Sequence, residues 1–262
     1  MKRTLFLFIF LISLACTEMY AWGRLAHRVI AEIAEQNLTD EAQRKVTKLL
    51  DNYPMAYWAF WADEIRSDTT DRWDQALTWH FINIPSNLER ADFEQAVFNF
   101  HQANVFSVIE KLTAVLKDKN ASTDEKSEAL YFLIHMVGDL HNPMHVGREE
   151  DRGGNLIRVM WFREERNLHW VWDVGVVDDS YSYTEYANIL NGVLTKQQRA
   201  EMKQGAPIDW LWEVYQFTNE IYDYVQDGDR LSFAYNYKYK SVVELLFQLA
   251  GVRLAHILNE CF

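Results

Sequence analysis

Apolar residues recur at helical spacing along almost the whole chain. Leu25–Leu38 carries Val29, Ile30, Ile33 and Ala34 on one stripe, and Thr39 stands where it can cap a second helix through Leu50. Tyr57–Ile65 and Trp73–Trp79 read as short, tryptophan-rich helices, and Ala91–Leu116 as one or two longer ones. Ser122 with Glu125 forms a capping box, which starts a helix that runs into Tyr131–Val137 and is apolar on nearly every side. Pro143 ends it, because proline lacks an amide hydrogen and pushes Asn142 out of helical geometry. Gly153-Gly154 breaks the pattern, and Leu156–Phe162 is the one convincing strand-like run, expected in a small β-hairpin. Asn167–Val177 is helical again, Thr195 with Gln198 is a second capping box, and Ile208–Val225 and Ser241–Leu258 are long amphipathic helices. No repeat, low-complexity segment or linker interrupts this pattern, which predicts one large all-α domain with a small β-hairpin.

The first 21 residues stand apart from that pattern. Lys2 and Arg3, an apolar run over Leu5–Leu14 and the small residue Ala21 make up a secretory signal peptide, with cleavage expected before Trp22. An anchor at Cys16 is the competing reading, but Ser13 and Leu14 make a poor lipidation sequence. The expected location is secreted or periplasmic, with no membrane anchor, since no later stretch reads as long and uncharged enough to span a bilayer.

Cleavage of 21 of the 262 residues leaves 241, enough for a substantial core. Loss of Lys2, Arg3 and Glu18 moves the formal net charge from −12 to −13. Such a chain offers no broad basic surface for nucleic acid. Local positive charge would have to come from bound divalent metal. Only Cys261 remains after cleavage, so no internal disulfide is available to the mature chain.

The candidate chemistry sits in the buried helix. His135 and Asp139 are four apart and so share a face, and His145 follows beyond Pro143. A buried carboxylate is costly unless it is paired or holds a metal, and a dry His/Asp set suggests zinc. His169 and Asp173 repeat the four-residue spacing downstream. Upstream, Asp63 and His80 lie in aromatic stretches, and His27 lies one helical turn beyond Trp22-Gly23. If Trp22 is the mature terminus, its α-amine and carbonyl can chelate a metal. A lone buried histidine is more often a hydrogen-bonded core residue, and one His–Asp pair is often an ordinary hydrogen bond. Two such pairs with His145 between them favour a multinuclear site. His101 and His256 read as bystanders, and His141 as structural or supporting.

Taken together, Trp22-Gly-(x)3-His27, Trp61-Ala-Asp63-(x)2-Arg66, Trp79-His80-Phe81, His135-(x)3-Asp139-(x)5-His145, Gly153-Gly154-Asn155 and Asn167-Leu168-His169-(x)3-Asp173 resemble the zinc-dependent S1/P1-type nuclease family. The resemblance implies the helical fold shared with zinc phospholipase C, and three Zn²⁺ per chain. Asp63, His80, His135 and Asp139 would hold the first, and His145, His169 and Asp173 the second. Trp22 and His27 would hold the third, with Asp139 bridging it to the first.

The implied reaction is hydrolysis of single-stranded DNA and RNA to 5′-nucleotides, with 3′-nucleotidase activity, by a hydroxide between two zinc ions. Asp63 and Arg66 are the expected catalytic residues, Arg66 as a phosphate clamp whose bland alternative is a surface ion pair. Phe81, Asn83 and Asn155 would bind substrate, with single-stranded nucleic acid and 3′-nucleotides as partners of a monomeric chain. A zinc phospholipase C and a non-catalytic zinc-binding protein are the alternatives. The final ligand Asp173 argues against the lipases, which have Glu there. The chain departs from fungal members in lacking their disulfides, and Asn83 instead of Asp changes what a base would meet.

Overall fold

The computed structural model describes Trp22–Phe262; the expected leader lies outside the described residues. Helices dominate. The first half contains α1 (Arg24–Glu35), α2 (Asp40–Leu49), the short α3 (Met55–Trp58) and α4 (Trp61–Glu64), α5 (Arg90–Phe98), α6 (Val105–Lys117) and α7 (Thr123–Leu140). The second half contains β1 (Arg158–Trp161), β2 (Glu164–Asn167), α8 (Leu168–Trp170), α9 (Tyr183–Gly192), α10 (Lys196–Met202), α11 (Pro207–Tyr224), β3 (Arg230–Leu231) and α12 (Phe233–Cys261). The fold is therefore all-α with a minor sheet.

Both expected capping boxes form, at Ser122/Glu125 and Thr195/Gln198, and Thr39 caps α2 by accepting from the Ala42 amide. A third box, Ser182/Glu185, starts α9, which the pattern of apolar residues does not announce. Several expected elements take different form. Most of Trp73–Trp79 lies in a 3₁₀ segment, Asp71–Thr78, and the stretch after α8 widens into a π-helical turn over Val171–Gly175. The hairpin is instead a three-stranded sheet. β1 pairs antiparallel with β2, Arg158 opposite Asn167, and parallel with β3, Met160 opposite Arg230.

α12 begins eight residues before the predicted Ser241. It is also long and apolar enough to cross a membrane by length and composition, contrary to the sequence expectation, but 67% of its apolar window is buried inside the protein. It is a core helix. Its Arg253 is buried with its guanidinium bonded to Glu213, His141 and the Met202 carbonyl, so the charge is compensated.

Two layers of helix position the site. α7 packs on α6 and α12, and α1 crosses α12, α9 and α3. The α1–α12 crossing is close because Gly251 faces Ile33: a Cβ there would lie 2.5 Å from Ile33 Cγ2 and 3.1 Å from the Ile30 carbonyl oxygen. Gly251→Ala should therefore destabilise by about 1–3 kcal/mol through overpacking, although alanine favours helix. Urea unfolding checks this; an unchanged or raised midpoint would show that the crossing relaxes freely.

Candidate metal centre

α7 is the spine of the site. Every residue from Ala129 to Leu140 is buried. His135 and Asp139 face the same way one turn apart, with His135 Nε2 3.2 Å from Asp139 Oδ2. The helix ends as Pro143 requires, and the Asn142 side chain accepts from the Met144 amide to start a 3₁₀ turn, Pro143–Val146, that carries His145. His141 turns away from the cluster: its Nδ1 donates to the Val137 carbonyl, and Nε2 meets Arg253 at 3.0 Å. Burial and the Arg253 charge lower its pKa to about 3, so it is a neutral acceptor in the core.

Other elements bring the remaining ligands to α7. His27 on α1 stacks on His135, centroids 3.8 Å apart, and places Nε2 3.3 Å from Asp139 Oδ1. Gly138 makes room for it, since a Cβ there would sit 2.7 Å from His27 Nδ1. Asp63 on α4 lies 3.9 Å from His135 Nε2 and 3.8 Å from His80 Nδ1. His80 Nδ1 is 2.9 Å from Asp139 Oδ2. His145 and His169 flank Asp173, at 3.6 Å and 3.1 Å.

Three buried groups result: His27, His135 and Asp139; Asp63, His80 and His135; and His145, His169 and Asp173. All eight predicted His and Asp ligands are in them. A backbone carbonyl can only accept, so the Nδ1 atoms of His135, His145 and His169 must donate, to Ala59, His80 and Gly153 respectively. In the neutral ring this leaves each Nε2 with a free lone pair, the arrangement that orients metal-binding histidines. Buried atoms without a hydrogen-bond partner include His27 Nε2, Asp63 Oδ2, His80 Nε2, His135 Nε2, Asp139 Oδ1 and His145 Nε2. A core rarely leaves so many polar atoms unsatisfied. Nitrogen and carboxylate donors in this number suit zinc.

The charges are coupled. Burial, reinforced by His135, lowers the His27 pKa to about 4. Burial also disfavours charge on His145, but Asp139 and Asp173 outweigh it and raise its pKa to about 9. Burial alone would push the Asp139 carboxyl up, yet His135, His145 and His27 together overcome it and hold the group well below the usual carboxylate range.

Beside the second group opens a cleft of about 310 Å³. Phe81, Asn83, Asn155 and His169 all line it, so the three predicted substrate residues meet in one place. Gly153 and Gly154 adopt φ of +64° and +80°, and a Cβ on Gly153 would fall 2.4 Å from the Met144 carbonyl oxygen. That turn also presents the Gly153 carbonyl to His169. Arg66 lies at the nest's edge, Nη1 3.5 Å from Asp63 Oδ1. Trp22 is fully buried against Phe247, and the next amide, Gly23, donates to the Asp173 carbonyl at 2.7 Å. His101 is exposed, and neither it nor His256 joins a ligand group.

The family model described as S1/P1 Nuclease matches residues 22–262. The chain belongs to the S1/P1 nuclease family. Like the other members it is a nuclease, a hydrolase. Endonuclease 2 of Arabidopsis thaliana is 26% identical over 279 residues, covering 95% of this chain and 93% of that protein. Nuclease S1 of Aspergillus oryzae is 26% identical over 93% of each chain, and nuclease P1 of Penicillium citrinum 32% identical over 58% of this chain and 57% of its own. In this S1/P1 nuclease the His and Asp positions read from the sequence lie in the buried groups. Asn142 escaped sequence reasoning: its amide donates to Asp173 Oδ1 at 2.7 Å and ties the end of α7 to the second group. An Asn before proline, able to cap the next turn, is the signal that was there to read.

Asn142→Ala should weaken any metal bound at His145, His169 and Asp173 by ~10–100-fold while sparing metal bound at the other groups. Competition with a chromophoric chelator would detect this as one weakened class of ions; uniform weakening would contradict it. The metal-free chain should also show a pH optimum of stability. His145, with its pKa raised from 6.5 to about 9, stabilises fully below pH 6.5 and loses that contribution as pH rises through 9. His27, lowered to about 4, favours the fold fully above pH 6.5 and loses that advantage as pH falls toward 4. Urea midpoints of chelator-stripped protein should peak near pH 6.5; a flat profile between pH 5 and 9 would oppose this coupling.

Proposed function

We propose that the chain is an exported, zinc-dependent phosphodiesterase that cuts single-stranded DNA and RNA to 5′-nucleotides and removes phosphate from 3′-nucleotides. One observation carries the reading: a buried nest of unpartnered ligand atoms adjoins a cleft lined by Phe81, Asn83 and Asn155. Three ions would divide the nest. Asp63, His80, His135 and Asp139 would take one, and His145, His169 and Asp173 another. The third would use His27, Asp139 and, once the leader is removed, the Trp22 amine and carbonyl. Zinc bound there supplies Lewis acidity and lowers the pKa of bound water to about 7.

The protein's own groups do the rest. Asp139 faces His27, His80 and His135 at 3.3, 2.9 and 3.2 Å, which supports a bridging role. Phe81 offers a ring for base stacking, worth ~1–3 kcal/mol and tolerant of sequence. The Asn83 carbonyl oxygen is buried without a partner and lines the same cleft, ready to accept from a base edge. Arg66, beside Asp63, is placed to clamp a phosphate oxygen. Three divalent ions outweigh three carboxylates, so an acidic chain can still hold a polyanion at this one place.

The mature protein starting at Trp22 should contain about three zinc ions and hydrolyse single-stranded DNA, RNA and 3′-nucleotides. The same preparation is assayed on phosphatidylcholine. Hydrolysis of lipid alone would instead make it a phospholipase C, and bound metal with no turnover a zinc-binding protein. A Met placed before Trp22 should lower both activity and the count of tightly held metal by removing the terminal amine; full retention of both would exclude the Trp22 site.

A further inference from the structure

Several arginine side chains of this protein are neutralised by neighbouring acids. Arg24 pairs with Glu64, Arg72 with Glu128, Arg90 with Glu94 and Asp209, Arg166 with Glu164, and Arg253 with Glu213. Arg152 and Arg158 differ. Both are exposed, and neither guanidinium has a hydrogen bond, ion pair or ring contact among the described residues. Both line the cleft that holds Phe81, Asn83 and His169. In a protein with a formal net charge of −12, two uncompensated cations at the mouth of one cleft are a local reversal of sign.

Their backbones hold them there by separate means. Arg152 adopts φ +57° immediately before the Gly153-Gly154 turn, and its amide and carbonyl bond to the Glu149 carbonyl and the Asn155 side chain. Arg158 opens β1, its amide donating to Asp227 Oδ1, opposite Asn167. The two positions are thus fixed by a turn and by a sheet, while their charged ends stay available. An ordinary solvated arginine needs no explanation alone; convergence of both on the cleft beside His169 is what calls for one.

From this convergence we infer that Arg152 and Arg158 bind backbone phosphates of nucleotides beyond the one held at Phe81, so that the enzyme grips a chain and not merely a terminal nucleotide. The inference rests on the function proposed above. A planar guanidinium matches two phosphate oxygens, and such contacts position a strand without reading its sequence. The two arginines are positioning and affinity residues, removed from the bond that breaks. They favour substrates long enough to reach them over 3′-mononucleotides.

Arg152→Gln, Arg158→Gln and the double variant are compared with the mature, zinc-loaded wild type on (dT)10 and on 3′-TMP. Each single change should lower kcat/KM on (dT)10 about five- to tenfold, mainly through KM, and leave 3′-TMP hydrolysis unchanged. Anisotropy with a hydrolysis-resistant phosphorothioate (dT)10 supplies a second readout. The slope of log K against log salt should flatten by about 0.7 for each phosphate that is no longer neutralised. Arg152→Lys and Arg158→Lys should recover most of the binding, which separates charge from misfolding. Equal reductions on both substrates, or an unchanged salt slope in the double variant, would overturn the inference while leaving the proposed function intact. A wild type that cleaves neither substrate would overturn both.

Discussion

Removing a carboxylate from water is among the most expensive single acts in folding, and Asp139 is fully buried in the middle of this protein. Everything near it can be understood as compensation. His80, His135 and His27 approach its two oxygens, and the apolar length of α7 excludes solvent around them. These contacts do not leave the nest satisfied, because ring nitrogens and carboxylate oxygens remain without partners. Positive charge brought into such a core would offset that deficit. Breaking a buried charged set by removing one member is more damaging than never having built it. Any metal these groups hold would therefore stabilise the fold as well.

The same economy of position appears at the cleft. The Gly153-Gly154 turn serves two neighbours at once: its carbonyl fixes the His169 ring, and its backbone passes so close to Met144 that no side chain fits. The cleft wall and the His169 ring thus both depend on this one turn. Asn142 does the corresponding work on the other side, joining the end of α7 to Asp173. Backbone conformation thus helps to position both the ligand group and the cleft beside it.

The sequence made much of this legible, for identifiable reasons. α7 announces itself because its Ser122/Glu125 cap, apolar run and terminating Pro143 agree with one another. The His135–Asp139 and His169–Asp173 spacings are readable because a helix has a fixed period. What sequence could not show is assembly. That His27 stacks on His135 depends on how α1 crosses α7, and that Arg152 and Arg158 share a cleft depends on the sheet. β3 is two residues long and has no periodicity to detect. The first turns of α12, Phe233 to Lys240, alternate aromatic residues with Ala, Asn or Lys in strand-like fashion, and packing within the fold overrides that pattern.

The hydrogen bond from the Gly23 amide to the Asp173 carbonyl joins the two extremes of the ligand-bearing sequence. Between them lie α1, α4, the segment of His80, α7, its following turn and α8, each giving at least one ligand. No two or three of these segments can form the nest alone, and closing so long a loop is costly before its contacts reward it. The centre is therefore complete only once all of these segments have met. Metal bound throughout the nest would therefore report that distant parts of the chain have met in register.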